Sequence, residues 1–387
     1  MQDTGSFELN PYTDPNNTLQ SLTYQFWSTY KSSIPQSFSF SNCISTQEIR
    51  NRIEIIIFDF LNQLNTTGSI HLSFLSNPKS GTYDASTNVN RVSTIKTTSL
   101  SSQKEYRTVA HILKVLEISF GLLNNNVKAT KREVFYMAAD LFQEQKFSDK
   151  AVEYCCSLLE IPRNRLNILG AGKGLIAGAI GFRENEQLTE VGNRIVRIPF
   201  DVDCLGEIRL DAEFILVVEK DTALNRLVQE GLFSEFNVVG VTGCGYPDLG
   251  TREFLRRIVD EFSWIPVLIL TDFDPHGFKI LCTYTFGSQK MCSECDSLAL
   301  PFSHWIGIHS SEGFNALPLK SSDRRLIQKL LEMPALNMPL DSYQNKRFRM
   351  WKMHLEEMKQ FDSKYEIESV GSLKDYIISK VSQESWI

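Results

Sequence analysis

The chain has 387 residues and a net charge of −6, from 40 Lys and Arg against 46 Asp and Glu. That length accommodates two domains or three, each with its own core, and the ordinary globular composition excludes collagen-like and disulfide-scaffold classes. The negative balance argues against a whole surface that binds polyanions, yet residues 101–200 are net +3 and the remainder −9. A mildly basic module joined to an acidic one is compatible with nucleic acid on one face.

No apolar run approaches bilayer length, the longest being the glycine-rich Gly174–Phe182. The opening Met-Gln-Asp-Thr-Gly lacks a basic region followed by an apolar core, so no secretory signal is read. The eight cysteines are scattered without framework spacing, which fits reduced thiols inside a cell. A zinc site is not expected, because Cys292 and Cys295 form the only C-x-x-C and Cys282 and His304 are its only neighbours of the right type.

Residues 1–44 are rich in Ser, Thr, Asn and Gln, and read as a polar, disordered arm. Ile49, Ile53, Ile56, Ile57, Phe60 and Leu64 recur at helical spacing and predict an amphipathic helix over 46–64. Strands are predicted at 70–74 and 91–98, around a turn-rich insert at 76–90. A helix over 104–123 and a loop at Asn124–Asn126 follow.

The next stretch, Thr130-Lys-Arg-Glu-Val-Phe-Tyr136, carries a helix start. Thr130 and Glu133 have the spacing of a capping box, and Arg132 and Tyr136 are neighbours on one helix face. A phenol beside a guanidinium suggests a nucleophile aimed at a phosphate. By itself the heptapeptide reads as a packing tyrosine with its hydroxyl at the surface, and the rest of the chain has to supply the case for a nucleophile.

Ser148 is read as the cap of a helix that runs to Glu160. Leu166–Leu169, the tight Gly170-Ala-Gly-Lys-Gly174 and Leu175–Ala177 then look like a hairpin. Helices followed by a hairpin outline a winged helix over 45–185, a helix-turn-helix variant that puts one helix in the major groove. Lys173 would sit at the wing tip, where flanking glycines allow close approach to a phosphate, though a solvated lysine is an equal reading. The glycine spacing is not that of a nucleotide-binding P-loop.

From residue 186 onward, apolar strands alternate with helices: strands at 214–218, 236–242 and 266–271, helices at 224–232 and 252–262. This predicts an α/β domain, a parallel sheet covered on both faces, with its chemistry beyond the carboxyl ends of the strands. Glu219, Asp272 and Asp274 all stand at such ends. Three converging carboxylates repel one another and call for a hard cation, with Mg²⁺ the best fit. Further sheet is read at 298–301, 305–307 and 317–319, and helices at 322–332 and 344–361. Lys346, Arg347, Arg349 and Lys352 form a basic cluster that reads as a solvated face or a DNA contact.

Glu at one strand end with D-x-D two strands later is the arrangement of a Toprim domain. Taken with it, KREVFYMAADLF, ILGAGKG, ILVVEKD, TGCGYPDLGTREFL and LTDFDPHG resemble the topoisomerase VI A-subunit family, nearest its eukaryotic meiotic double-strand-break branch. The resemblance covers roughly 104–368 and ends in Lys364-Tyr-Glu-Ile-Glu368, a degraded form of the family's K-A-E-I motif. It implies a CAP-like winged helix followed by a Toprim domain, with Tyr136 as nucleophile and Arg132 as its phosphate-side partner. It also implies that Glu219, Asp272 and Asp274 hold Mg²⁺ and that Lys173 contacts DNA. Phe135 replaces the second tyrosine of many members, and Cys244 stands where lysine is common.

The activity so implied is cleavage of both DNA strands through a 5′-phosphotyrosyl link, in the nucleus, to start meiotic recombination. The implied partners are double-stranded DNA, a homodimer, accessory break-formation proteins and a topoisomerase VI B-like subunit, with no membrane. Three alternatives stand beside it. One is a true topoisomerase driven by a separate B-type ATPase. Another is a Toprim nuclease or primase-like enzyme in which Tyr136 is structural, and the third is a silent DNA-binding scaffold.

Overall fold

A computed structural model describes residues 44–76, 82–84, 89–91, 94–99, 103–170, 172–184, 186–199, 201–288, 295–312, 315–338 and 343–383. The expected polar arm lies outside these, Ile44 excepted, as do Cys292 and most of the 76–90 insert.

The first core is helical. Helix α1 (Thr46–Thr67) is capped by Ser45 and buries Ile49, Ile53 and Phe60. An antiparallel pair follows, β1 (His71–Ser76) with β4 (Thr94–Ser99), and between them β2 (Thr82–Asp84) pairs with β3 (Val89–Arg91). Helix α2 (Gln103–Asn124) buries Val109, Ile112, Val115 and Leu116. Strand β5 (Ala129–Thr130) leads directly into α3 (Lys131–Tyr136), then α4 (Ala139–Phe142) and α5 (Gln145–Leu159). Ser148 does not cap α5. It lies inside the helix, fully buried, and its hydroxyl donates to the Gln145 carbonyl at 2.9 Å.

Strand β6 (Ile168–Leu169) pairs in parallel with β5, not with the residues after Gly174. The expected hairpin over 166–177 is therefore not formed. Its second arm is the start of β7 (Leu175–Glu184), which pairs with β8 (Gln187–Arg197), with β9 (Leu205–Leu210) and with β11 (Val238–Thr242). The ladder hydrogen bonds that a wing would have used are taken by a larger sheet. The first core accordingly ends at Ile168, and the second begins at Ile176.

That second core surrounds a seven-stranded sheet in the order β13-β12-β10-β11-β7-β8, with β9 also on β7. Strands β10 (Phe214–Val218), β11, β12 (Val267–Leu270) and β13 (His304–Gly307) are parallel, and β7 runs antiparallel to β11. The sheet is thus mixed, where an all-parallel one was expected. Helices α6 (Asp221–Gln229), α7 (Leu232–Glu235), α8 (Leu249–Glu261) and α9 (Pro275–Phe286) connect these strands.

The C-terminal third adds α10 (Cys295–Leu298), β14 (Leu317–Pro318), α11 (Ser321–Leu331), α12 (Tyr343–Phe361), β15 (Ser363–Lys364) and α13 (Leu373–Ser382). Trp351 meets Phe278 and Phe348 meets Phe286 edge-on, with Trp351 also tilted against Phe286, which makes this region of α12 and α9 part of the same core. Arg347 is buried and donates to the carbonyls of Ser303 and Pro301, at 2.5 and 2.7 Å. It braces the fold, so it drops out of the basic cluster read as a DNA contact or solvated face.

At Gly178 the backbone takes φ +105°, and a Cβ would stand 1.9 Å from the Val238 carbonyl oxygen. The β7–β11 contact therefore needs glycine. Gly178→Ala is expected to cost about 2–4 kcal/mol of stability, read as a lower urea midpoint.

Candidate active site

Two strand ends and a helix start build the site. Glu219 follows the last residue of β10, where every side chain is buried, and its amide donates to the Leu270 carbonyl of β12 at 3.1 Å. One carboxylate oxygen of Glu219 accepts the Asp272 amide at 3.0 Å. Asp274 is the N-cap of α9 and accepts from the Gly277 amide at 2.7 Å, with Pro275 at the first helical position. Gly277 has to be glycine, because a Cβ would lie 2.4 Å from the Asp272 carbonyl oxygen and 3.0 Å from Glu219 Oε2.

Asp272 is 5 % exposed, and both its oxygens are engaged. Oδ1 accepts the Ile367 amide at 2.9 Å, and Oδ2 faces Lys220 Nζ at 2.9 Å. Lys220 also reaches Glu368 at 2.8 Å. Lys364 Nζ lies 4.0 Å from Asp274 and 3.5 Å from Asp323. Phe273, between the two aspartates, exchanges backbone bonds with Tyr365 at 2.9 and 3.1 Å. The degraded K-A-E-I segment is thereby laced to D-F-D along its length, a pairing across 95 residues at Ile367 and Asp272 that no local pattern announces.

Burial, with Asp272 and Asp274 beside it, pushes the Glu219 carboxyl up to about 8. Burial also raises Asp272, against the pull of the Ile367 amide and Lys220. Tyr246, whose hydroxyl lies 3.2 Å from His276 Nδ1, is pushed up to about 12 by burial and by the charges of Asp274 and Glu219. The site thus concentrates carboxyl groups in a poorly hydrated place, and the donors are hard oxygens. Both features fit a divalent cation held by Glu219, Asp272 and Asp274. Among the described residues no three His, Cys, Asp or Glu side chains stand grouped to hold an ion as placed, and Asp272 is turned to Lys220.

The nucleophile candidate lies elsewhere. Thr130 and Glu133 complete the expected capping box, with bonds of 3.1 and 2.6 Å, and Val134 anchors α3 in the first core. Tyr136 is 64 % exposed, its ring 5.3 Å from Phe135, and Arg132 is exposed on the same helix. Neither has a hydrogen-bond partner among the described residues, and neither touches the three carboxylates. Lys173 is not at a wing tip. Its Nζ donates to the Cys244 carbonyl at 2.9 Å and its amide to Asp248 at 2.6 Å, while the Gly245 amide donates to the Glu219 carbonyl at 2.7 Å. Lys173 therefore ties the crossing between the two cores to the loop beside Glu219.

The family model for the Toprim domain of Spo11 and the topoisomerase 6 A subunit matches residues 214–381, and that for type IIB DNA topoisomerase matches 107–168. The chain is 34 % identical over 301 residues to meiotic recombination protein SPO11-1 of Arabidopsis thaliana, covering 74 % of this chain and 81 % of that one. This chain belongs to the family of Spo11 and the topoisomerase 6 A subunit. It is also 30 % identical to meiotic recombination protein SPO11 of Mus musculus, over 87 % of this chain and 86 % of the relative. To the DNA topoisomerase 6 A subunit of Arabidopsis thaliana it is 31 % identical, over 74 % and 69 %. The 214–381 match takes in all three carboxylates, and the 107–168 match takes in Tyr136 and Arg132.

Because the folded protein holds the Glu219 proton more tightly than the unfolded chain, that stability is fully present below about pH 4.5 and is lost as pH rises through 8. In EDTA the wild type should lose several degrees of melting temperature across this window, and Glu219→Gln should flatten the loss. Melting curves at stepped pH check this.

Proposed function

We propose that this protein is a DNA transesterase that makes double-strand breaks and starts meiotic recombination in the nucleus. The observation that carries the reading is the solvent-facing phenol of Tyr136, one helical turn from Arg132, in a family chain that also gathers three acids beyond the ends of two strands. The Tyr136 oxygen attacks a backbone phosphorus, a P–O bond to tyrosine forms, and the bond to the 3′ oxygen breaks. The products are a 5′-phosphotyrosyl link and a 3′ hydroxyl, which takes up a proton. No water and no nucleotide is consumed.

A phenol in water loses its proton only near pH ~10, so attack needs a nearby base or cation. Arg132 supplies a planar fork that matches two phosphate oxygens and orients the group. Glu219, Asp272 and Asp274 would hold Mg²⁺, which, when bound, offsets charge on the phosphate and on the leaving oxygen. Since Tyr136 does not touch these acids within one chain, we assign the tyrosine of one copy to the carboxylates of a second. Two copies then cut two strands. We further propose that the 45–185 region is a CAP-like winged helix, with the β1–β4 pair in place of the 166–177 hairpin, and that Lys173 meets DNA from the junction.

A B-type ATPase is the partner that would turn the same cut into strand passage, and the kinship with a topoisomerase 6 A subunit supports that second reading. Accessory break-formation proteins belong to the first.

Wild type incubated with duplex DNA and Mg²⁺ should yield DNA ends with protein attached on denaturing gels. Tyr136→Phe should yield none while still shifting DNA in native gels. Arg132→Ala should lower the yield about 100-fold or more. Cleavage by Tyr136→Phe that leaves bare ends would instead identify a Toprim nuclease.

A further inference from the structure

Each aspartate of D-F-D faces a lysine, and each of those lysines has a second carboxylate within reach. Lys220 Nζ lies 2.9 Å from Asp272 and 2.8 and 3.0 Å from the two oxygens of Glu368. Lys364 Nζ lies 4.0 Å from Asp274 and 3.5 Å from Asp323. Lys220 is the closer and the better placed. It directly follows Glu219, in extended backbone at the start of α6, and its ammonium meets the Asp272 oxygen that the Ile367 amide leaves free.

We propose that Lys220 is a resident counter-cation, which holds Asp272 until a divalent ion takes its place, and that Glu368 is the acceptor to which Lys220 then retires. This rests on the assignment of Glu219, Asp272 and Asp274 as the metal ligands. A buried carboxylate without a cation is costly, and the Lys220 pair offsets part of that cost for Asp272, which is 5 % exposed. The same pair occupies an oxygen that an incoming ion needs, and a divalent ion beside an ammonium meets like charge. Binding of the ion and the Lys220–Asp272 contact therefore oppose each other, and each weakens the other by the same factor.

Glu368 makes the exchange feasible. It is already in two-oxygen contact with Lys220, so releasing Asp272 does not leave the ammonium unpaired. Both partners are fixed from one segment, because Ile367, one residue away, supplies the amide that orients Asp272. A purely structural lysine would have no need of an acceptor outside the acid cluster. Here the outer acceptor is half-exposed and the inner one buried, the gradient along which a displaced ammonium would move towards water.

The test uses the full chain without DNA and Mn²⁺ as a spectroscopic probe, counted by electron paramagnetic resonance. Lys220→Met keeps the aliphatic stem and removes the charge; it should bind Mn²⁺ about tenfold tighter than wild type. Glu368→Gln should bind it several-fold more weakly, because Lys220 then has Asp272 alone. In EDTA, Lys220→Met should melt below wild type, and Mn²⁺ should close that gap. Asp272→Asn separates the two levels of the reading. Undiminished Mn²⁺ binding in Asp272→Asn overturns the ligand assignment itself. Loss of binding in Asp272→Asn, with Lys220→Met binding no more tightly than wild type, leaves that assignment standing and overturns the counter-cation role.

Discussion

The bond from the Asp272 amide to the Glu219 carboxylate is the constraint on which the site depends. It fixes a side chain at the end of β10 to the backbone at the end of β12, adjacent parallel strands whose ladder brings the two ends level. Everything else is arranged around that contact. Gly277 is bare because there is no room for a methyl between Asp272 and Glu219. Asp274 commits one oxygen to capping α9, which leaves the other directed by a helix start rather than by a free rotor. The core beneath is continuous and apolar, so the acids stand on a rigid, dry floor, where electrostatic interactions are strong in both directions.

The two halves of the chemistry have opposite environments. The acids are held in the second core, and Glu219 in particular is made reluctant to ionise by burial and by its neighbours. Tyr136 projects from a six-residue helix, held by a capping box and by one buried valine, into solvent. A phenol so displayed has little intramolecular business. It suits a group that acts on a large substrate brought to it.

Much of this was legible in the sequence. Helical periodicity located α1, α2, α8 and α12 to within a few residues, continuous apolar runs located β10, β11 and β12, and the spacing of Thr130 and Glu133 anticipated the capping box that the structure contains. Errors came where a local pattern had two global solutions. Leu166–Ala177 has the glycines and apolar flanks of a hairpin, but β5 competes for one arm and β11 for the other. Ser148 has the chemistry of a cap, yet a helix that starts at Gln145 absorbs it as a buried back-bonding hydroxyl. Lys220 was visible only as a residue after Glu219, because its partner Glu368 lies 148 residues away and nothing in either neighbourhood signals the pairing. Interactions that close over such distances are set by the sheet and not by the adjacent sequence.

The lacing of Tyr365 and Ile367 to D-F-D has a consequence in time. A chain emerging from the ribosome would present Asp272 95 residues before the Ile367 amide that orients it, and Glu219 earlier still. Until that strip arrives, Asp272 lacks its amide donor and Phe273 its backbone partner, so a nascent or prematurely ended chain carries the acids without the geometry. The acid cluster thus takes its geometry only once residues 365–367 have followed it out of the ribosome.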